Sequence, residues 1–260
     1  MNPKISIITV SFNSEKTIEE TILSVINQQY DNFEYIIIDG GSKDNTLKII
    51  EKYRAKITMV VSEKDKGISD AFNKGIKLCS GDIIGLINSD DLLTVGALQH
   101  LASNIELGID VYRGNTVFWN DNTGHKSIDI PTMYFPIIPT SLHVCHQSTF
   151  ITKDAYKKFG VYKLDFKYMM DLDLLIRFCK NKAKFKYINR ELAVFRLGGI
   201  SQISERKKMD ERRRLVLSNG GNNFQVFIFQ LYIILRQLVK GIVSIFGEDL
   251  RLKLINKKIN

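Results

Sequence analysis

Residues 5–103 alternate short apolar runs with amphipathic helical patterns, and this alternation restricts the fold more than any other feature of the chain. The runs 5–10, 33–38, 57–61 and 82–87 are almost continuously apolar, as strands covered on both faces must be. Between them a 3.6-residue period brings Ile18, Ile22, Val25 and Ile26 to one face, then Leu47, Ile50 and Tyr53, then Phe72 and Ile76. Asp44 is placed to cap the second helix and Thr94 to cap the fourth. The expected architecture is α/β: a Rossmann-like, mostly parallel sheet with helices on both faces.

Sheets of this kind bind ligands beyond the carboxyl ends of their strands. Polar residues collect at those ends: Ser11 and Asn13 after the first run, Asp39 after the second, Glu63 and Asp65 after the third, Asp90 and Asp91 after the fourth. Loops are polar in general, but acids gathered on one edge repel one another unless a cation or a hydroxyl-rich ligand sits among them. After residue 108 the pattern changes to strand-like pieces at 110–113 and 116–119 and a connection containing Pro131, Pro136 and Pro139. Helical patterns follow at 153–159 and 172–179, then strands near 185–188 and 192–195.

At 260 residues, 44% hydrophobic and 25% charged, the chain has material for one large domain with a real core. Three scattered cysteines (Cys79, Cys145, Cys179) suit a reducing compartment rather than a disulfide framework. The first apolar run lacks a signal-peptide layout, so a protein that is not exported is expected. There is no G-x-G-x-x-G after the first strand, no Walker-type loop, no H-E-x-x-H and no C-x-x-C. His143, Cys145 and His146 lack the second ligand cluster of a zinc site, and His146 suits a hydrogen bond to substrate or neighbouring backbone.

Four segments together carry a resemblance. Ser6-Ile7-Ile8-Thr9-Val10-Ser11-Phe12-Asn13, Ile38-Asp39-Gly40-Gly41-Ser42-Lys43-Asp44, Glu63-Lys64-Asp65-Lys66-Gly67 and Leu86-Ile87-Asn88-Ser89-Asp90-Asp91 occur in this order. In sequence and spacing this resembles the family 2 inverting glycosyltransferases of GT-A fold, in particular small bacterial members acting on surface polysaccharides. The resemblance runs from about residue 4 to residue 204. It implies a domain 1–204, with a nucleotide-sugar-binding half (1–108) and an acceptor-binding half (109–204), followed by a basic, amphipathic helical extension, 205–260.

By the same resemblance Thr9, Phe12, Asp39 and Asp65 hold the donor nucleotide, with UDP the nucleotide it favours. The loop after the fourth strand holds Mg²⁺ or Mn²⁺ on the diphosphate. Hard cations prefer carboxylate oxygens. The family's metal motif usually begins with Asp; here Asn88 stands in that place, so Asp90 is the principal metal residue, Asn88 offers only an amide oxygen, and Asp91 orients the loop. Met170-Asp171-Leu172-Asp173 resembles the segment bearing the general base, implying Asp171 with Asp173 as the alternative, although Met170 replaces the family's usual Glu. His146, Arg196 and Gly199, the last in a Gly198-Gly199-Ile200-Ser201 hinge-like turn, are candidates near the acceptor or diphosphate. The partners implied are a nucleotide-sugar donor and a glycan or lipid-linked acceptor; the competing reading is a non-catalytic nucleotide-sugar-binding module.

The net charge of +9 is concentrated in residues 201–260, which hold 12 Lys/Arg against 5 Asp/Glu. Aromatic residues are not interleaved with the basic clusters and no nucleic-acid motif is present, so a nucleic-acid partner is not expected. Residues 224–246 form an apolar helical pattern with Arg236 and Lys240 inside it, too interrupted to span a bilayer. Such a helix suits the cytoplasmic face of an anionic membrane, packing on the core, or a homodimer contact.

Overall fold

The computed structural model describes residues 2–139, 144–197 and 205–245. The first half contains β1 (Ile5–Ser11), α1 (Ile18–Ile26), β2 (Phe33–Asp39), α2 (Thr46–Lys52), β3 (Met59–Ser62), α3 (Ile68–Leu78), β4 (Ile83–Asn88), β5 (Leu92–Leu93) and α4 (Ala97–Ser103). The second contains β6 (Val111–Trp119), β7 (Lys126–Asp129), β8 (Thr149–Thr152), α5 (Lys153–Phe159), α6 (Met170–Lys180), β9 (Phe185–Arg196), α7 (Glu205–Ser218) and α8 (Asn223–Ile245).

One sheet runs through both halves in the order β3-β2-β1-β4-β8-β6-β9-β5, with β7 beside β6. The first four strands are parallel throughout. β8 then enters antiparallel to both β4 and β6, and β6 pairs in parallel with β9. The parallel part is what the apolar runs predict; the mixed part is a refinement, because β8 is a four-residue strand with no distinctive pattern. Likewise the pieces at 185–188 and 192–195 prove to be one long strand, β9.

Alternation of side chains sends successive residues of β1 to opposite faces. Ile8 joins the core beneath α3, α5, α6, α7 and α8, while Ile5 and Ile7 join the core beneath α1, α2 and α4. Gly75 allows α3 to lie directly on β1, since a Cβ there would collide with Ile8 Cγ2. The two expected helix caps shift. Asp44 stands one residue before the N-cap of α2, Asn45, although its carboxylate still accepts from the Thr46 amide at 3.0 Å. Thr94 does not cap α4, whose N-cap is Gly96; its hydroxyl donates instead to the Glu191 carbonyl at 2.6 Å, tying the loop to β9.

Strand register sets the polar strand ends side by side along one edge of the sheet: Ser11 pairs with Asp39, Asp39 with Ser62, and Val10 with Asn88.

Candidate active site

Asp39, at the end of β2, is fully buried and turned into the protein. Its carboxylate accepts from Ser11 Oγ (3.0 Å), Ser42 Oγ (2.5 Å), Ser62 Oγ (2.7 Å) and the Gly41 and Ser42 amides (3.0 and 2.9 Å). Five donors fix the carboxylate against the surrounding loops. Thr9 is also fully buried, and Tyr35 Oη donates to its hydroxyl at 3.0 Å. These two expected nucleotide contacts therefore do not line an open face in this conformation. Phe12 and Asp65 do: Phe12 is exposed, and both flank Gly40, where an added Cβ would meet Asp65 Oδ2 at 2.6 Å and Phe12 Cδ2 at 3.4 Å. Asn13, in the left-handed region (φ 49°), stitches the first loop to the second: its amide donates to Ser42 Oγ and its side chain accepts from the Lys43 amide.

The loop after β4 sorts its two acids by partner. Asp91 is buried and accepts from Gln147 Nε2 (2.6 Å), Asn88 Nδ2 (3.2 Å) and the Arg196 amide (3.0 Å). Burial first, and then the Asp90 charge, push its carboxyl up to about 7. Asp91 thus orients the loop. Burial holds the neighbouring Asp90 carboxyl above its ordinary value, against the pull of Arg196 and His146. Two adjacent acids raised by burial, with one charge opposing the other, favour an added positive charge.

His146 is buried between this loop and α6. Its Nδ1 lies 3.0 Å from Asp171 Oδ2 and its Nε2 lies 3.3 Å from Asn88 Oδ1. Burial lowers its pKa, but Asp171, Asp91 and Asp90 together outweigh that and hold it above the ordinary value. Its partners are side chains rather than backbone, a pairing that only the tertiary fold creates. Asp171 Oδ1 is buried and has no hydrogen-bond partner. Asp173, the alternative base, is fully buried and committed to Lys163 Nζ (3.0 Å), Arg177 Nε (2.8 Å) and Asn219 Nδ2 (3.0 Å). Of the two, Asp171 alone keeps part of its side chain exposed and is not held by a cation of Lys or Arg.

The residues present fit a cation held chiefly by its ligand. Among the described residues no group of three or more His, Cys, Asp or Glu side chains stands ready to hold a metal ion. Asp90 offers a carboxylate, whereas the Asn88 amide oxygen faces His146. Remaining ligands would have to come from a diphosphate, which suits an oxygen-preferring ion. Arg196 is engaged elsewhere: it donates to Glu20 (2.5 Å) and Asp121 (3.0 Å) and stacks over Trp119. Gly199 and His143 lie outside the described residues. Sequence reasoning missed Gln147 and Ser62, which hold Asp91 and Asp39; the signal for Gln147 is no more than a polar residue directly after His146 where a strand is about to begin.

Residues 6–160 match the family model described as Glycosyl transferase family 2. Chondroitin synthase of Escherichia coli is 30% identical over 200 residues, covering 72% of this chain and 28% of that protein. The Escherichia coli UDP-Glc:alpha-D-GlcNAc-diphosphoundecaprenol beta-1,3-glucosyltransferase WfgD is 34% identical over 121 residues, 46% of this chain and 48% of that one. The match therefore spans less than half the length of either relative. Among solved structures, S. aureus TarS 1–349 in complex with UDP-GlcNAc matches with a TM-score of 0.66 at 20% identity, over 83% of this chain and 66% of that chain, a likeness of fold.

Proposed function

Because the chain belongs to glycosyl transferase family 2, we propose that it moves a sugar, with inversion, from a UDP-sugar to a hydroxyl of a glycan or lipid-linked acceptor in surface polysaccharide assembly. That it is a glycosyltransferase follows from the family; its GT-A-like sheet is shared with TarS. The donor and acceptor are inferred from a relative whose name specifies UDP-Glc and a diphosphoundecaprenol-linked sugar, and from a structural neighbour holding UDP-GlcNAc.

The observation that carries the mechanism is the asymmetry of Asp171. One oxygen is tied to His146; the other is buried with no hydrogen bond of good geometry, and the Tyr162 hydroxyl lies beside the carboxylate. Leaving a buried carboxylate oxygen unpaired is costly, so the Asp171 side chain is under pressure to turn toward a donor, either Tyr162 or an acceptor hydroxyl entering at its exposed side. In the reaction proposed, an acceptor hydroxyl gives its proton to the Asp171 carboxylate while its oxygen attacks the anomeric carbon. The bond to the nucleotide breaks on the opposite side, its electron pair leaving with the diphosphate, and the configuration inverts. Phe12 and Asp65 flank the nucleoside. A structural neighbour, a Pyrobaculum calidifontis mannosyltransferase, is in complex with GDP-Man and Mn²⁺; Mg²⁺ or Mn²⁺ held at Asp90 would supply positive charge to the leaving diphosphate.

The test is turnover of a panel of UDP-sugars by wild type and D171N, with UDP titrated into both by calorimetry, with and without Mn²⁺. The expected result is metal-strengthened UDP binding in both proteins and a kcat about 10²–10⁴-fold lower in D171N. Retained turnover in D171N would remove Asp171 as base. UDP binding with no turnover by either protein would favour a nucleotide-sugar-binding module.

The same proposal includes an anionic membrane surface as a partner, at the cytoplasmic face. No helix among the described residues is long and apolar enough to cross a membrane. α8 nevertheless exposes large apolar side chains along its outer side, and no acidic residue occurs between Glu211 and Glu248, while Arg212, Arg213, Arg214, Arg236 and Lys240 do. That combination suits a helix lying in an anionic leaflet.

A further inference from the structure

Glu211 is an acid in a basic run, and it is buried. Its carboxylate accepts from three successive backbone amides: Lys167 (2.9 Å), Tyr168 (2.7 Å) and Met169 (3.0 Å). Met169 is the N-cap of α6, and its carbonyl accepts from the Asp173 amide at 2.8 Å, closing the first turn in which Asp171 lies. The segment 160–169 that leads into α6 has no regular structure of its own. Its other side is pinned from α3, where Asn73 bonds both polar backbone groups of Tyr162 and Ser69 Oγ donates to the Phe166 carbonyl at 3.2 Å.

The end of α7 also grips α6 beyond the base. Asn219 Nδ2 donates to Asp173 at 3.0 Å, and Lys180 Nζ donates to the Asn219 carbonyl at 3.1 Å. Leu215 and Val216, between these two grips, are fully buried in the core shared with α6. Asp171 is thus bracketed by contacts from one helix and its end, two residues before it and two residues after it.

We propose that Glu211 is a positioning residue for Asp171, and that α7 completes the active site by fixing the start of α6. Charge-assisted bonds from a buried carboxylate to consecutive amides are strong and directional, so they set where the helix begins and where its first-turn side chain points. Reaction rate is sensitive to that placement: a shift of about 1 Å costs up to about 100-fold. The inference rests on Asp171 being the base. It extends that reading by making a helix outside the matched family region necessary for turnover.

The experiment compares E211Q, E211D and D171N in the full chain, measuring kcat, donor KM, UDP affinity and thermal unfolding. E211Q puts an NH₂ among amide donors; E211D keeps the charge but shortens the reach. The expected result is a kcat about 10–100-fold lower in E211Q and intermediate in E211D, with UDP affinity within about twofold of wild type. Amide exchange at Lys167, Tyr168 and Met169 rises in E211Q while that of β1 and β2 is unchanged. Folded E211Q with wild-type kcat, a parallel loss of UDP affinity and kcat, or failure of both variants to fold would each overturn the positioning role. D171N keeps the two readings apart: if it retains turnover the base assignment fails, and if it loses turnover while E211Q does not, the positioning role alone fails.

Discussion

Glu34 illustrates how single polar side chains fix the strand ends away from the reaction. It is buried, and burial raises its pKa, but donation from Ser6 Oγ, Ser80 Oγ, the Ser80 amide and Lys4 outweighs burial and brings it to about 2 from an ordinary 4.5. A depressed folded-state pKa contributes stability that is present above the unfolded value and lost as pH falls through the folded one. Wild type is therefore expected to lose on the order of 2–3 kcal/mol from this residue between about pH 5 and pH 2. E34Q should be less stable at neutral pH and flatter across that window, as measured by urea unfolding at a series of pH values. At this scale the sequence located the polar strand ends but not where their side chains point. Asp39 and Thr9 stand at strand positions that periodicity locates, yet the register with Ser11 and Ser62 turns Asp39 inward, and register is not written in one strand. Asp171 and Asp173 look alike in sequence; they differ because Lys163, Arg177 and Asn219, from three separate segments, converge on one of them.

Among elements, the strands and helices of the first half were legible because each carries its own period. β8 and the unity of β9 were not, since their pairing partners lie far away in sequence. Close packing of α3 on β1 depends on Gly75, and Ile8 beneath it is fully buried in a central strand. G75A is expected to destabilise by about 1–3 kcal/mol through overpacking, seen as a lower Tm. The effect should shrink when combined with I8A if the clash is local, because alanine removes Ile8 Cγ2, the atom nearest the added Cβ, together with Cδ1 at 3.1 Å. α8 departs from its expected design in an instructive way. Val226, Phe229 and Ile233 dock on the core, while Phe224, Phe227, Ile228, Leu231, Tyr232, Ile234, Leu235, Leu238 and Val239 are exposed. Packing on the core and presenting an apolar surface are thus not alternatives; opposite sides of one helix do both.

For the whole molecule, that outer side of α8 is a contiguous apolar patch of the kind that marks an interaction surface. Flotation with vesicles containing phosphatidylglycerol is the direct check. Wild type is expected to float with the vesicles, less so at high salt, and an L231E/L235E/L238E variant to remain with the soluble fraction. A wild type that stays below the vesicles and instead doubles its mass with concentration would assign the face to a second copy. In sequence, α7 and α8 read as an extension appended at 205; Glu211, Leu215, Val216 and Phe229 make them part of the core.

The path of the sheet also orders events in time. β5 pairs with β9, Leu92 opposite Val194 and Leu93 opposite Ala193, and the Asp91 carboxylate receives the Arg196 amide. During synthesis the loop bearing Asp90 and Asp91 emerges about a hundred residues before the strand that secures it. Such long-range closure is slow relative to local pairing, so protection of the Asp90–Asp91 loop is expected to follow that of the β1–β2 pair, as pulsed hydrogen exchange during refolding would measure. A ribosome-bound chain stopped before β9 would carry every residue proposed to touch the donor and still lack the geometry to use them.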